Sequence, residues 1–243
     1  YTPEIVILAP GNAARDSFRM LNRQGVAMEP KSIAMGFRIS HSQEWINQVI
    51  YGSDKWAETL GAASYRLTSQ SNGKGTYTFC MCPGGHIIAA SSENNTAVTN
   101  GMSFSARNHT HGNSAIVTQF DASDYGSGLW DGMILQLAIE RNAFIDKYAA
   151  PYQYADDYMK GVLSGQAGYR ELFASMRAFQ ISELFSFQIN QSLKNGLKHF
   201  DRILPGFIRG GLLIAPETRT SSPVRIVRDK LHGHCLNISN LYA

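Results

Sequence analysis

The stretch Gly75 to Gly101, GTYTFCMCPGGHIIAASSENNTAVTNG, decides the fold. A β-rich run, Thr76 to Cys80, meets a Cys-Met-Cys-Pro-Gly-Gly turn and continues into a second run, His86 to Ala90. Side chains alternate in an extended segment, which would place Cys80 and Cys82 on one face with Met81 opposite. Gly84 and Gly85 would let another backbone or a flat ligand approach closely. Working outward, β-type runs recur at Lys31 to Ile39, Tyr65 to Thr68, Ala97 to Thr99 and Ser114 to Phe120, parted by Gly, Asn and Ser clusters. Such spacing predicts an antiparallel sheet or a small β-barrel.

Helical patterns interrupt that sheet. Gln43 to Val49 predicts a short helix. Gly128 to Tyr148 carries Trp130, Ile134, Leu137 and Phe144 at helical intervals, and Glu183 to Phe200 carries Phe185, Ile189, Leu193, Leu197 and Phe200. Those stripes read as core rather than as a cofactor box. After Pro205 the pattern returns to β-type runs at 211–215, 217–220 and 224–227. At the other end, Glu4 to Ala9 and Ala13 to Asn22 predict a strand-turn-helix unit. The fold class is therefore α+β, with expected parts at 1–27, 28–125 (β-rich), 126–205 (helical) and 206–243. Tyr152 to Tyr169, rich in Tyr, Asp and Gly, is expected to be a connection. No internal repeat is visible.

A second stretch, Ala215 to Asp229 (APETRTSSPVRIVRD), sets Arg219 and Arg225 among Thr218, Thr220, Ser221 and Ser222, with Pro216 and Pro223 fixing the backbone. Convergent guanidinium and hydroxyl donors suit an anionic or oxygen-rich ligand. A solvated turn between strands uses the same residue types.

The chain has 243 residues, enough for a core, and a formal charge of +3 with its basic residues scattered, so no nucleic-acid footprint is indicated. No apolar run approaches the roughly 18 residues of a membrane span. Three cysteines argue against a disulfide framework and for a reducing, cytoplasmic compartment. Cys80 and Cys82 read either as buried thiols or as a redox pair whose bridge would be strained and easily reduced. Cys235 has no evident partner. Cys80, Cys82, His86, His109, His111, His232 and His234 offer soft and imidazole ligands, but their spacing suits no structural zinc pattern, and no metal is expected. No G-x-S-x-G turn marks a nucleophilic serine.

FCMCPGG, VTNGMS and ETRTSSPVR, in that order, resemble the middle region of a bacterial family of FAD-dependent dehydrogenases. Supporting pieces are Val6 to Phe18, Met28 to His41, Leu60 to Thr68 and Ala150 to Tyr158. The chain departs from that family at Asn12 and Ala13, where a His-Ser pair is usual, at Ser40, where an acidic residue is common, and in carrying His109 and His111. It also lacks the G-x-G-x-x-G turn that seats a dinucleotide pyrophosphate, which suggests a central region of a longer enzyme. The resemblance implies a hydride-transferring FAD oxidoreductase, with NAD(P)H a candidate donor and FAD held weakly or not at all by this chain alone.

On that resemblance Gly11, Asn12, Ala14, Arg15 and Asp16 would face the flavin. Gly84, Gly85, Arg219, Thr220, Ser221 and Arg225 would bind a small-molecule substrate or a flavin phosphate, and Cys80 and Cys82 would be the catalytic candidates. The expected partner is the rest of a flavin-binding domain. A docking module without catalytic residues and a tRNA-modifying flavoenzyme are the alternatives.

Overall fold

The structure, a computed structural model, describes residues 3–71, 73–145, 148–168 and 175–243. It is α+β, and its chain divides into two compact units, one of residues 34–119 and 137–218, the other of 1–33, 120–136 and 219–243. Among the described residues no helix is long and apolar enough to cross a membrane.

The larger unit is built on an open seven-stranded sheet. Its strands lie in the order Met176–Ala178, Ala150–Tyr154, Leu212–Glu217, Ile33–Ser42, His111–Phe120, Lys74–Cys82 and Thr68–Ser71. Met176–Ala178 and Ala150–Tyr154 pair in parallel; the pairs Ala150–Tyr154 with Leu212–Glu217, Leu212–Glu217 with Ile33–Ser42, Lys74–Cys82 with His111–Phe120, and Thr68–Ser71 with Lys74–Cys82 are antiparallel. Ile33–Ser42 and Leu212–Glu217 are buried along almost their whole length, so the polar side chains they carry need partners inside the protein. Gly36 permits one close approach: a Cβ there would lie 2.0 Å from the Ile116 carbonyl oxygen.

Helix Phe187–Ile203 begins at Ser186, whose hydroxyl accepts from the Ile189 amide at 3.4 Å. It buries Ile189, Leu193, Leu197 and Phe200 of the expected stripe; Phe185, the first expected member, is buried just ahead of the helix, which starts at Phe187 rather than Glu183. At Gly196 it approaches the sheet so closely that a Cβ would lie 2.5 Å from Thr76 Cγ2, while Thr76 Oγ1 donates to the Ser192 carbonyl at 3.2 Å. A two-stranded ribbon, Gly85–Ala89 with Thr99–Ser103, completes this unit.

The expected connection over 152–169 is structured in its first part. Ala150–Tyr154 is an internal strand and Ala155–Lys160 a helix; Tyr169 lies outside the described residues. Pro151 disguises that strand, since proline lowers any strand reading. Of the run expected at Tyr65–Thr68, only Thr68 lies in a strand, Thr68–Ser71, where it pairs with Tyr77; Leu67 accepts the Thr78 amide just before it. The long helix expected over 128–148 is observed as Asp131–Asn142, with 146 and 147 outside the described residues.

The smaller unit has a strand-turn-helix start: Val6–Ile7, then helix Arg15–Arg23. Val6–Ile7 pairs in parallel with Ile238–Tyr242, which pairs antiparallel with His234–Cys235; Met28–Pro30 pairs with Val224–Ile226. Val26, Ile226, Cys235 and Leu241 form one apolar cluster, and Phe18, Met133 and Val224 another.

Candidate functional site

In the larger unit, polar chemistry converges on Arg38, on the strand Ile33–Ser42, which is buried along almost its whole length. Its side chain is fully buried, so its guanidinium must find partners within the protein. Nε donates to Asn113 Oδ1 at 2.8 Å, and Nη1 meets Asn100 Oδ1 at 3.3 Å and Glu217 Oε2 at 3.2 Å. Nη2 donates to the Cys80 carbonyl at 2.6 Å and lies 3.8 Å from Cys82 Sγ. Gly101 leaves the space for this guanidinium, since a Cβ there would lie 2.4 Å from Nη2.

The thiols sit on a β-bulge. Phe79 pairs with Ala115 and Cys82 with Asn113, so two residues, Cys80 and Met81, oppose one, Ser114. Cys80 takes φ 45°, the left-handed conformation that favours glycine. The expected alternation is therefore broken: Cys80 is exposed next to exposed Phe79, while Cys82 is buried. The Cys82 thiol donates to the Cys80 carbonyl at 3.4 Å. Cys80 lines a cavity of about 640 Å³ with Tyr65, Arg66 and Tyr77. Cys82 lines another of about 690 Å³ with Met81, Pro83 and Gly101.

Hydrogen bonding from Cys82 lowers the Cys80 pKa, opposed by burial and aided by the Arg38 charge. The same interaction, with burial, pushes the Cys82 thiol up. Burial raises Glu217 to about 7 against the pull of Arg38. Next along the strand's exit, Thr218 donates to buried Glu140 at 2.7 Å, and Thr99 donates to the Pro216 carbonyl at 2.9 Å beside a cis Ala215-Pro216 bond.

Of the two visitors expected at Gly84 and Gly85, the space is occupied by a backbone. A Cβ on Gly84 would lie 1.8 Å from the Arg107 carbonyl oxygen, and one on Gly85 2.5 Å from that of Met102. Nearby, the His86 and His109 rings are 3.6 Å apart, and His111 is lowered to about 4, mainly by burial.

ETRTSSPVR passes from one unit to the other between Thr218 and Arg219. In the smaller unit, Arg225 lines a cavity of about 290 Å³ with Leu8, Gly11, Asn12, Ser222 and Arg228. Gly11 has φ +80°, and a Cβ there would meet nothing within 4 Å. The Asn12 amide donates to the Arg219 carbonyl at 2.7 Å, tying the N-terminal turn to the arginine-bearing loop. Arg225 is ion-paired with Glu29, and Arg228 donates to the Ala243 carbonyl at 3.0 Å. Arg15, expected to face a flavin, is buried with its guanidinium on Gln136. Ala14 occupies the N-cap position without a capping bond, and Asp16 accepts the Ser17 amide. Asp229, His232 and His234 bring three ligand-type atoms within 4.8 Å of one another, with Asp229 Oδ1 accepting from the His232 amide and ring.

Sequence reading missed Arg38, Asn113 and Glu140. The signal was present for Arg38: one cation in the run IAMGFRIS must be paired wherever that run is buried.

The family model described as FAD-dependent protein, C-terminal domain-like matches residues 32–220, nearly the outer bounds of the larger unit. An uncharacterized protein of Clostridium beijerinckii is 39% identical over a 252-residue alignment covering 99% of this chain and 47% of that protein. The chain thus spans about half the length of the relative it matches. By the extent of the family match, the chain belongs to the FAD-dependent proteins, within their C-terminal domain-like region.

Proposed function

We propose that this chain is the substrate-side part of an FAD-dependent oxidoreductase whose main flavin-binding fold lies in further sequence. The observation that carries the reading is the cavity where Gly11 and Asn12, on the turn after Val6–Ile7, meet Ser222, Arg225 and Arg228. Strand-turn-helix units place ligands at the carboxyl end of the strand, and guanidinium groups suit a phosphate or carboxylate there. At about 290 Å³ the cavity fits part of a dinucleotide, in keeping with a chain that covers 47% of its relative.

FAD would supply hydride acceptance and donation. This chain's own groups would bind and orient: Arg225 and Arg228 toward anionic oxygens, Thr220 and Ser221 as hydroxyl donors, and Gly11 as a position where backbone can lie close to a ligand. Cys80 is the group of the larger unit best placed for chemistry, because it is exposed beside a buried cation.

A docking role is the second reading. It is favoured by the loop's own pairing: Ser222 donates to the Val224 carbonyl at 2.6 Å, and Asn12 takes the Arg219 carbonyl. The two readings separate on Arg225→Ala in the longer polypeptide. The oxidoreductase reading expects FAD to dissociate about tenfold more readily, on the order of one charge-assisted hydrogen bond. Unchanged FAD affinity with weakened association between chain segments would favour docking.

A further inference from the structure

The thiol pair carries an inference that goes beyond the flavin reading and stands with or without bound FAD. Three independent features meet at Cys80. The first is conformational: Cys80 occupies the bulge position with φ 45°, where glycine is the usual residue and a side chain costs free energy. The second is access, since Cys80 is exposed and lines a cavity of about 640 Å³, large enough for a small organic molecule. The third is the neighbour: Cys82 is buried one residue away, its thiol 3.4 Å from the Cys80 carbonyl and 3.8 Å from the Arg38 guanidinium. Cys235 has none of this, being fully buried with its thiol on Asn237.

We propose that Cys80 and Cys82 form a dithiol that reduces small-molecule disulfides by thiol-disulfide exchange, with Cys80 attacking and Cys82 resolving. The Cys80 thiolate attacks one sulfur of the substrate disulfide R-S-S-R. The new bond joins Cys80 Sγ to that sulfur, the old S-S bond breaks, and one thiolate leaves and takes a proton from water. Cys82 then gives up its proton and attacks Cys80 Sγ. The Cys80-to-R bond breaks, the second thiolate leaves and is protonated, and a Cys80-Cys82 disulfide remains. Two electrons pass from the pair to the substrate, giving two molecules of R-SH; excess small thiol runs the same steps backwards.

The assignment of roles follows from the environment. The thiolate is the attacking species, and Cys80 is the thiol a substrate can reach, exposed and lining the cavity of about 640 Å³ while Cys82 is buried; Cys82 and the Arg38 charge also lower its pKa. Cys82 is held protonated until the mixed disulfide forms, because burial and its bond to Cys80 oppose its ionisation. A bridge across one intervening residue closes a short loop and is easily reduced, which suits a reversible couple rather than a structural one.

The probe is oxidised glutathione applied to the reduced full chain, read by intact mass and free-thiol count. Wild type is expected to lose two thiols, retain no glutathione and recover fully with reduced glutathione. Cys82→Ala is expected to hold one glutathione on Cys80. Cys80→Gly, which suits the positive φ and keeps the bulge, is expected to react at least about tenfold more slowly, with its circular dichroism unchanged. The proposal is overturned if wild type retains glutathione without losing two thiols. It is overturned equally if peptide mapping places the glutathione of Cys82→Ala on Cys235, or if Cys80→Gly, folded, reacts as fast as wild type.

Discussion

Arg38 Nη2 lies 2.6 Å from the carbonyl oxygen of Cys80, so a fully buried cation is bonded to the backbone of an exposed thiol. The same guanidinium binds Glu217, Asn100 and Asn113, which joins the three sequence motifs FCMCPGG, VTNGMS and ETRTSSPVR at one point. Far apart along the chain, each of those motifs supplies one partner of a single arginine.

Arg38→Met should therefore be among the most damaging substitutions in the larger unit. It leaves Glu217 buried without its counter-charge, a loss on the order of 3–5 kcal/mol. Denaturant unfolding should show this, and the double variant Arg38→Met with Glu217→Gln should recover part of it. A single variant as stable as wild type would show that the pair does not hold this region.

Cys80→Gly should stabilise the protein by about 1 kcal/mol, because glycine takes φ 45° without the clash a side chain brings. The check is the denaturation midpoint. A drop in midpoint would mean that contacts of the thiol outweigh the backbone strain.

Gly36→Ala should prevent proper pairing of Ile33–Ser42 with His111–Phe120, since the new methyl would sit 2.0 Å from the Ile116 carbonyl. The expected cost, several kcal/mol by analogy with other overpacked cores, is read as loss of soluble folded protein or of a cooperative transition. Gly11→Ala, by contrast, meets no atom within 4 Å and costs only the strain of its positive φ.

His41 makes the larger unit acid-sensitive. Its ring is fully buried, Nε2 donates to the Phe207 carbonyl at 2.7 Å, Nδ1 has no partner among the described residues, and burial holds its pKa near 4, with His111 adding to the effect. The unfolded chain, with an ordinary value near 6.5, binds more protons than the native one between about pH 4 and 6.5, so stability falls as pH falls through that window. The loss is on the order of 3 kcal/mol by pH 4. A ring titration by NMR near 6.5 would contradict it.

The helix Phe187–Ile203 and the β-runs around Gly75 to Gly101 were legible because their apolar periodicity is set by the face they bury. Ala150–Tyr154 was not: Pro151 lowers the strand reading of a segment that is buried by its neighbours rather than by an alternating pattern of its own. The thiols were legible as a pair but not in their orientation, because a bulge is a property of two strands in register and one strand's sequence does not contain it. Arg219 and Arg225 were legible as cations near a turn. That the Asn12 side chain would hold the Arg219 carbonyl was not, since the two lie 207 positions apart.

The measurement closest to the central claim is the visible absorption spectrum of the longer polypeptide, purified beside this chain and beside its Arg225→Ala variant. A flavin band is expected in the longer protein, a weaker one in the variant, and little or none in this chain alone. A longer protein that purifies colourless and takes up no added FAD would contradict it.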